Sequence, residues 1–395
     1  MANNDSLWQL FLIFLKLGCT SFGGPVAHIG FFHTEFVSKR QWLSERDYAD
    51  LVALCQFLPG PASSQVGMAL GMLRAHYAGA LVAWLGFTLP SALLLIGCAY
   101  GLQYGHAYLP AGLLQGLKIV AVAIVAQAVW GMTKTLCDTT AKVTVMIAAL
   151  LLLAVWHSVW SQVAVIGAGA LAGFIWLRTS GATATPSPLP LRLSGKAGLC
   201  WGLGFVVLLL LLPLLSAAVA DPALDLFDAF FRAGALVFGG GHVVLPLLQA
   251  EVVPTGLVAA DTFMAGYGAA QAVPGPLFTF AAFLGASMQQ GPSGFYGAAL
   301  ALCAIFLPAF LLLAAVLPFW QRLRSHNEAQ AMLAGVGATV VAILSAALYD
   351  PVWTSTIHSR QDFAAAALAL VALMHWKIKP WQVVLAGATA GTLCY

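Results

Sequence analysis

Lys16, Lys118 and Arg232 interrupt stretches that are otherwise apolar. A cation inside hydrocarbon is costly and marks function by default, usually beside an anion. No carboxylate is expected within a helical turn of any of the three, and a translocated anion is a physically reasonable partner. The competing roles are snorkelling to an interface or bonding carbonyls freed by broken backbone. Lys16 and Arg232 stand 216 positions apart, each six residues before a Phe-Gly-Gly. Those glycines, Phe22-Gly23-Gly24 and Phe238-Gly239-Gly240-Gly241, form one kind of break. Gln56 to Pro59-Gly60-Pro61 and Gln271 to Pro274-Gly275-Pro276 form the other. The helices restarting near Pro25, Pro61, Gly241 and Pro276 present unpaired N–H groups and positive dipole ends, which favour anions. Ser63, Ser64 and Thr279 fall in the first turns after the breaks, placed to cap the helix or to bind an oxyanion. Gln56 and Gln271 end the arms ahead of the breaks, and their amides can hold backbone or donate to substrate. Glu35 and Glu251 are matched carboxylates, candidates for proton coupling or for surface ion pairs. His242 follows Gly241 as a further proton-coupling and substrate-site candidate.

These breaks matter because of what surrounds them. Of the 395 residues, 61% are hydrophobic and only 8% charged, with a mean hydropathy of +0.90. Soluble proteins carry about 25% charged residues. Apolar runs of about twenty residues recur along the chain, as spanning helices require. Broken backbone at membrane depth is tolerated only where it is buried in protein or lines a watery cavity. A matching pair of interrupted segments in each half therefore points to a transporter's binding site.

Other chemistries find less support. The net charge is +3 and the basic residues are dispersed, so no nucleic-acid surface is expected. The seven cysteines lie mostly in apolar stretches without a CxxC, and are read as packing residues rather than disulfides. No metal-ligand spacing, nucleophile–base motif or cofactor motif is present, so neither a metal, a cofactor nor an enzyme is expected. The first residues lack a basic signal-peptide region, and the first apolar segment is expected to be kept.

The elements follow in order. Residues 7–37 and 47–73 each hold two short arms around a break, and either re-entrant hairpins or paired tilted crossings fit them. Full-length spans are expected at roughly 77–100, 110–136, 142–158 and 161–177. A polar linker at 178–198 precedes a single span at about 199–219. Then the pattern returns: Gly18, Phe22, Gly23, Gly24 and Glu35 match Gly234, Phe238, Gly239, Gly240 and Glu251 at an offset of 216. Gln56 and Pro59 to Pro61 match Gln271 and Pro274 to Pro276 at 215, and Gly116 matches Gly335 at 219. With residues 38–46 placed in the cytoplasm, thirteen of the seventeen Lys and Arg fall inside and only Arg360 outside. A parallel repeat would put Arg322 and Arg324 on the wrong side, so an inverted repeat is favoured.

The stretches Phe22 to Pro25, Gln56 to Pro61, Phe238 to His242 and Gln271 to Pro276 together resemble the chromate ion transporter family (ChrA type), in its long two-domain form. The resemblance covers both halves. It implies a carrier of the bacterial inner membrane that exports chromate, a divalent tetrahedral oxyanion much like sulfate, using the proton motive force. One departure is Gly241 where the first half has Pro25. The expected fold is an all-α polytopic membrane protein with two inverted repeats, 1–177 and 221–395, joined by a linker and extra helix at 178–220. The N-terminus is expected in the cytoplasm and the C-terminus in the periplasm. Alternatives from the residues are a gated anion channel or a carrier of sulfate or another oxyanion, and a homodimer is left open.

Overall fold

The computed structural model of the chain describes residues 6–22, 24–105, 111–156, 161–177, 194–237, 243–320 and 326–394. Sixteen α-helices and no strand occur among the described residues. In hydrocarbon every backbone N–H and C=O must be satisfied internally, and a helix does this within one segment. Among the described residues, five helices are long and apolar enough to cross a membrane.

The chain opens with α1 (Leu7–Thr20), started by a capping box between Ser6 and Gln9. After the first break come α2 (Gly24–Phe32) and a π-helical extension over His33–Lys39. The ring of Phe14 lies 6.0 Å from that of Phe32 and 5.2 Å from that of Phe36, so the second arm folds back along the first. Next are α3 (Glu45–Phe57) and, past the Pro-Gly-Pro break, α4 (Ala62–Gly105). Non-helical dihedrals at Ala75 and His76 divide α4 into two arms. A methyl group at Gly71 would strike the carbonyl of Gly79, so the arms run side by side.

Then come α5 (Ala111–Leu136), α6 (Thr140–Val155) and α7 (Ser161–Trp176). The last two are 16 residues each, about 24 Å of helix. That is short of the roughly 30 Å hydrocarbon core, and the bounds lie within three residues of the segments expected at 142–158 and 161–177. The connecting helix is α8 (Gly195–Val219), which shows Leu199, Leu203, Leu210 and Leu214 outward, each more than 60% exposed. Such a surface suits lipid.

The C-terminal half runs α9 (Pro222–Ala235), α10 (Val244–Val252), α11 (Ala260–Ala272), α12 (Phe280–Ala286), α13 (Gly294–Val316), α14 (Asn327–Ala347), α15 (Arg360–Met374) and α16 (Pro380–Cys394). Its packing echoes the first half. Gly18 of α1 lies against the Phe87 carbonyl of α4, and Gly234 of α9 against the Ile305 carbonyl of α13. Gly71 meets Gly79, and Gly285 meets Gly297.

The terminal hairpins are exchanged. Gly112 and Gly116 of α5 meet Gly391 and Gly387 of α16 backbone to backbone. Gly169 and Gly173 of α7 meet Gly335 and Ala331 of α14 in the same way. Each half's last hairpin thus grips the other half's long helix, α6–α7 on α14 and α15–α16 on α5. Small residues drive such contacts in lipid, where hydrophobic pressure between helices is absent and close packing must substitute.

Candidate functional site

At the second break, Leu58 is extended, as the residue before a proline must be. Gly60 follows with φ +121°, outside the range open to side-chain-bearing residues. At the fourth break Val273 is extended and Gly275 has φ +98°. Both turned-out amides find partners across the two halves. The Gly60 N–H donates to the Val237 carbonyl at 2.7 Å, and the Gly275 N–H to the Ser21 carbonyl at 2.9 Å. Ser21 and Val237 are themselves 216 positions apart. Each Pro-Gly-Pro turn is therefore pinned to the residue just before the other half's Phe-Gly-Gly.

His28 of α2 tightens this crossing. It is fully buried, with Nε2 3.2 Å from the Ser21 carbonyl and Nδ1 3.4 Å from the Ser63 hydroxyl. A carbonyl only accepts, so Nε2 carries the hydrogen. One imidazole thus joins the first break to the first turn of α4. The partners of His28 lie 7 and 35 residues away, which local spacing does not reveal.

Several buried polar atoms beside the breaks have no hydrogen-bond partner among the described residues. They are the hydroxyls of Ser21, Ser64 and Thr88, the Gln271 amide nitrogen and the Gln65 carbonyl oxygen. Ser21 belongs to the first break, Ser64 and Gln65 to the first turn after the second, and Gln271 to the last turn before the fourth. Thr88 follows Phe87, whose carbonyl faces Gly275. Native interiors leave few such groups, and each needs an explanation. Four of the five can donate, which suits a ligand rich in acceptor oxygens. Ser21, Gln65 and Thr88 were not among the sequence candidates, although each adjoins or faces a break.

Other candidates are differently placed. Thr279 donates to the Pro276 carbonyl at 2.6 Å, closing its own turn. Gln65, rather than Gln56, braces the second break, its amide donating to the Pro59 carbonyl at 2.9 Å. Gln56 is exposed. The Phe22 ring rests 5.9 Å from Trp381 of α16. Glu35 pairs with Arg40 at 2.8 Å and Lys39 at 3.6 Å. Gly23 and Phe238, Gly239, Gly240, Gly241 and His242 lie outside the described residues.

The cations differ most from expectation. Arg232 donates through Nε to Asp228 at 2.9 Å and through its two terminal nitrogens to Glu251 at 2.9 and 3.3 Å. Lys118 is buried and pairs with Asp261 of α11 at 2.8 Å. Lys16 is exposed, with no ion pair among the described residues. The expectation that no carboxylate stands within a helical turn of these cations is corrected for Arg232, and Lys118 finds one on another helix. The i,i+4 spacing of Asp228 and Arg232 was visible in the sequence; the Lys118 contact, 143 residues apart, was not.

A cavity of about 660 Å³ lies elsewhere, lined by Trp156, Gln162, Gln249, Tyr349 and Asp350 among others. Among the described residues no break residue lines it, and its one charged lining residue is an acid, Asp350.

The chain matches the family described as Chromate transporter over residues 8–174 and again over 224–392. It belongs to the chromate transporter family. The two matched stretches are the segments on either side of α8. A protein of Cupriavidus metallidurans, "Chromate transport protein", is 29% identical over 100% of this chain and 94% of its own. The protein of the same name from Pseudomonas aeruginosa is 28% identical over 98% and 92%. The "Probable chromate transport protein" of Synechococcus elongatus is 27% identical over 98% and 95%. No solved structure matches. With its family and its long apolar helices, the chain is an integral membrane protein.

Proposed function

We propose that this family member is a secondary carrier exporting chromate across the bacterial inner membrane, driven by the proton motive force. One observation carries the reading above its relatives' names: the two reciprocal hydrogen bonds, Gly60 to Val237 and Gly275 to Ser21, which draw broken segments of both halves together. Around that crossing stand the donors of Ser21, Ser64, Thr88 and Gln271, unpartnered among the described residues. A tetrahedral dianion offers each an acceptor, and sulfate, of like shape and charge, is the natural competitor. The halves act as inverted repeats that rock about the crossing and expose it to each side in turn. Residues 178–198 and the N-terminus lie in the cytoplasm, the C-terminus in the periplasm. Lys16 and the Gly-Gly segments draw the anion in, while Lys118 and Arg232 act through their carboxylate partners.

Everted vesicles energised with an inward-acid gradient test this. Chromate uptake that collapses with the gradient is expected. Ser64→Ala combined with Gln271→Leu should raise the half-saturating chromate concentration by about tenfold or more. Flux that follows the anion's own gradient alone would make the protein a channel. Unaltered affinity in the double variant would remove the crossing from the binding site.

A further inference from the structure

Asp228, Arg232 and Glu251 form a cluster whose charges do not balance. One guanidinium serves two carboxylates, through Nε to Asp228 and through its fork to Glu251. With both acids ionised the cluster carries −1. Asp228 is 4% exposed. Its second oxygen, Oδ1, is buried without a hydrogen-bond partner among the described residues. A buried charge without full pairing is costly, so a cluster built only to hold helices together would not be left one cation short.

Among the described residues, the helices packed on α9 offer no second cation near the cluster. Helix α9 packs on α8, α10 and α13. Helix α13 contributes only Tyr296 and Cys303 as titratable groups, α8 only Lys196 and Cys200 near its start, and α10 only Glu251. Asp225, one turn before Asp228, adds a further negative charge and accepts from the Ser216 hydroxyl of α8.

The other half shows that the fold does not require the cluster. At the offset of 216, Arg232 corresponds to Lys16, Glu251 to Glu35 and Asp228 to Leu12. Lys16 and Leu12 are exposed and Glu35 turns to Lys39 and Arg40, yet α1 and α2 fold back on each other without an ionic clasp.

We propose that Asp228 is the residue that takes up the coupling proton, at Oδ1, with Arg232 and Glu251 as its positioning partners. The proton converts the carboxylate to a carboxylic acid and the cluster from −1 to neutral; its release restores both. Arg232 and Glu251 stand on opposite sides of the 238–242 break, so loading the proton changes the electrostatic grip between the two arms, α9 and α10. This rests on the proton-driven reading given above and names the residue that carries the proton within it.

Purified protein in liposomes, with chromate as the probe, supplies the test. Two fluxes are compared: accumulation driven by a pH gradient, and exchange of chromate inside for chromate outside, which moves no net proton. In Asp228→Asn, accumulation should fall by about tenfold or more while exchange persists and loses its pH dependence. Asp228→Glu should recover accumulation with a displaced pH profile. Asp228→Asn that accumulates chromate with the parent's pH dependence overturns the proposal. Infrared difference spectra of the unmodified protein, with isotope-labelled aspartate, give a decision that does not depend on the variant folding. A protonated aspartic carboxyl appearing on mild acidification supports the assignment, and its absence overturns it. Parent protein that moves no chromate would sink the functional reading, while the infrared band would still decide whether Asp228 binds the proton.

Discussion

His28 shows how much one side chain can do at a place where backbone has been taken out of its helix. The Ser21 carbonyl accepts from both the Gly275 N–H and His28 Nε2, filling its two lone pairs. Removing the ring leaves that carbonyl half-satisfied and empties a site that also touches Phe87, 5.3 Å away. His28→Ala should cost about 1–3 kcal/mol for the lost bond and more for the cavity, read as a lower unfolding temperature in detergent. Asn or Gln at this position should recover part of the loss, because each offers an amide N–H to the carbonyl. A carrier that melts unchanged with Ala at position 28 would show the contact to be incidental. Residue chemistry was only partly legible beforehand. Prolines and glycines announce broken backbone through their own covalent structure, so the breaks could be placed from the sequence. The partners of His28 and Lys118 depend on which distant segments meet, and local spacing holds no record of that. Arg232 and Asp228, by contrast, stand four residues apart on one helix, and that pair is legible from spacing alone.

At the scale of elements, the interrupted segments are fixed by geometry as much as by bonding. Gly275 combines φ +98° with a Ser91 hydroxyl 2.8 Å from where a methyl would sit. Gly60 combines φ +121° with Ala309 and Gln65 each 3.0 Å from that point. A side chain in the left-handed region costs about 1–2 kcal/mol, and both sites add a steric clash. Gly60→Ala and Gly275→Ala should therefore each destabilise by at least about 1 kcal/mol, and should slow chromate flux more than a surface Gly131→Ala control. Equal flux in all three would mean that the turns are not held as described. Helix positions were legible as well, since apolar composition places segments at 142–158 and 161–177. Their helices stop at Val155 and Trp176, and composition alone does not report where a helix ends.

At the scale of the molecule, the exchanged hairpins bind the halves into one unit. Helix α5 lies along α16, and α14 along α7, through glycine-lined contacts too close for any side chain. The offset in sequence shows that two similar halves exist but is silent on which half's helices each one embraces. Produced as separate chains, 1–193 and 194–395 should co-purify from one membrane, and either alone should fail to accumulate. Independent accumulation of both fragments would contradict the mutual dependence. Gly387→Val, which would drive a branched side chain into Val120, should weaken the co-purification by removing the close approach of α16 to α5.

The same exchange sets a schedule for biosynthesis. Helix α5 leaves the ribosome long before α16. Until then its glycine face has only lipid or the insertion machinery for company. This seam can close only once α16 has been made, and a nascent chain stopped short of Pro380 would display it open for membrane proteases to find.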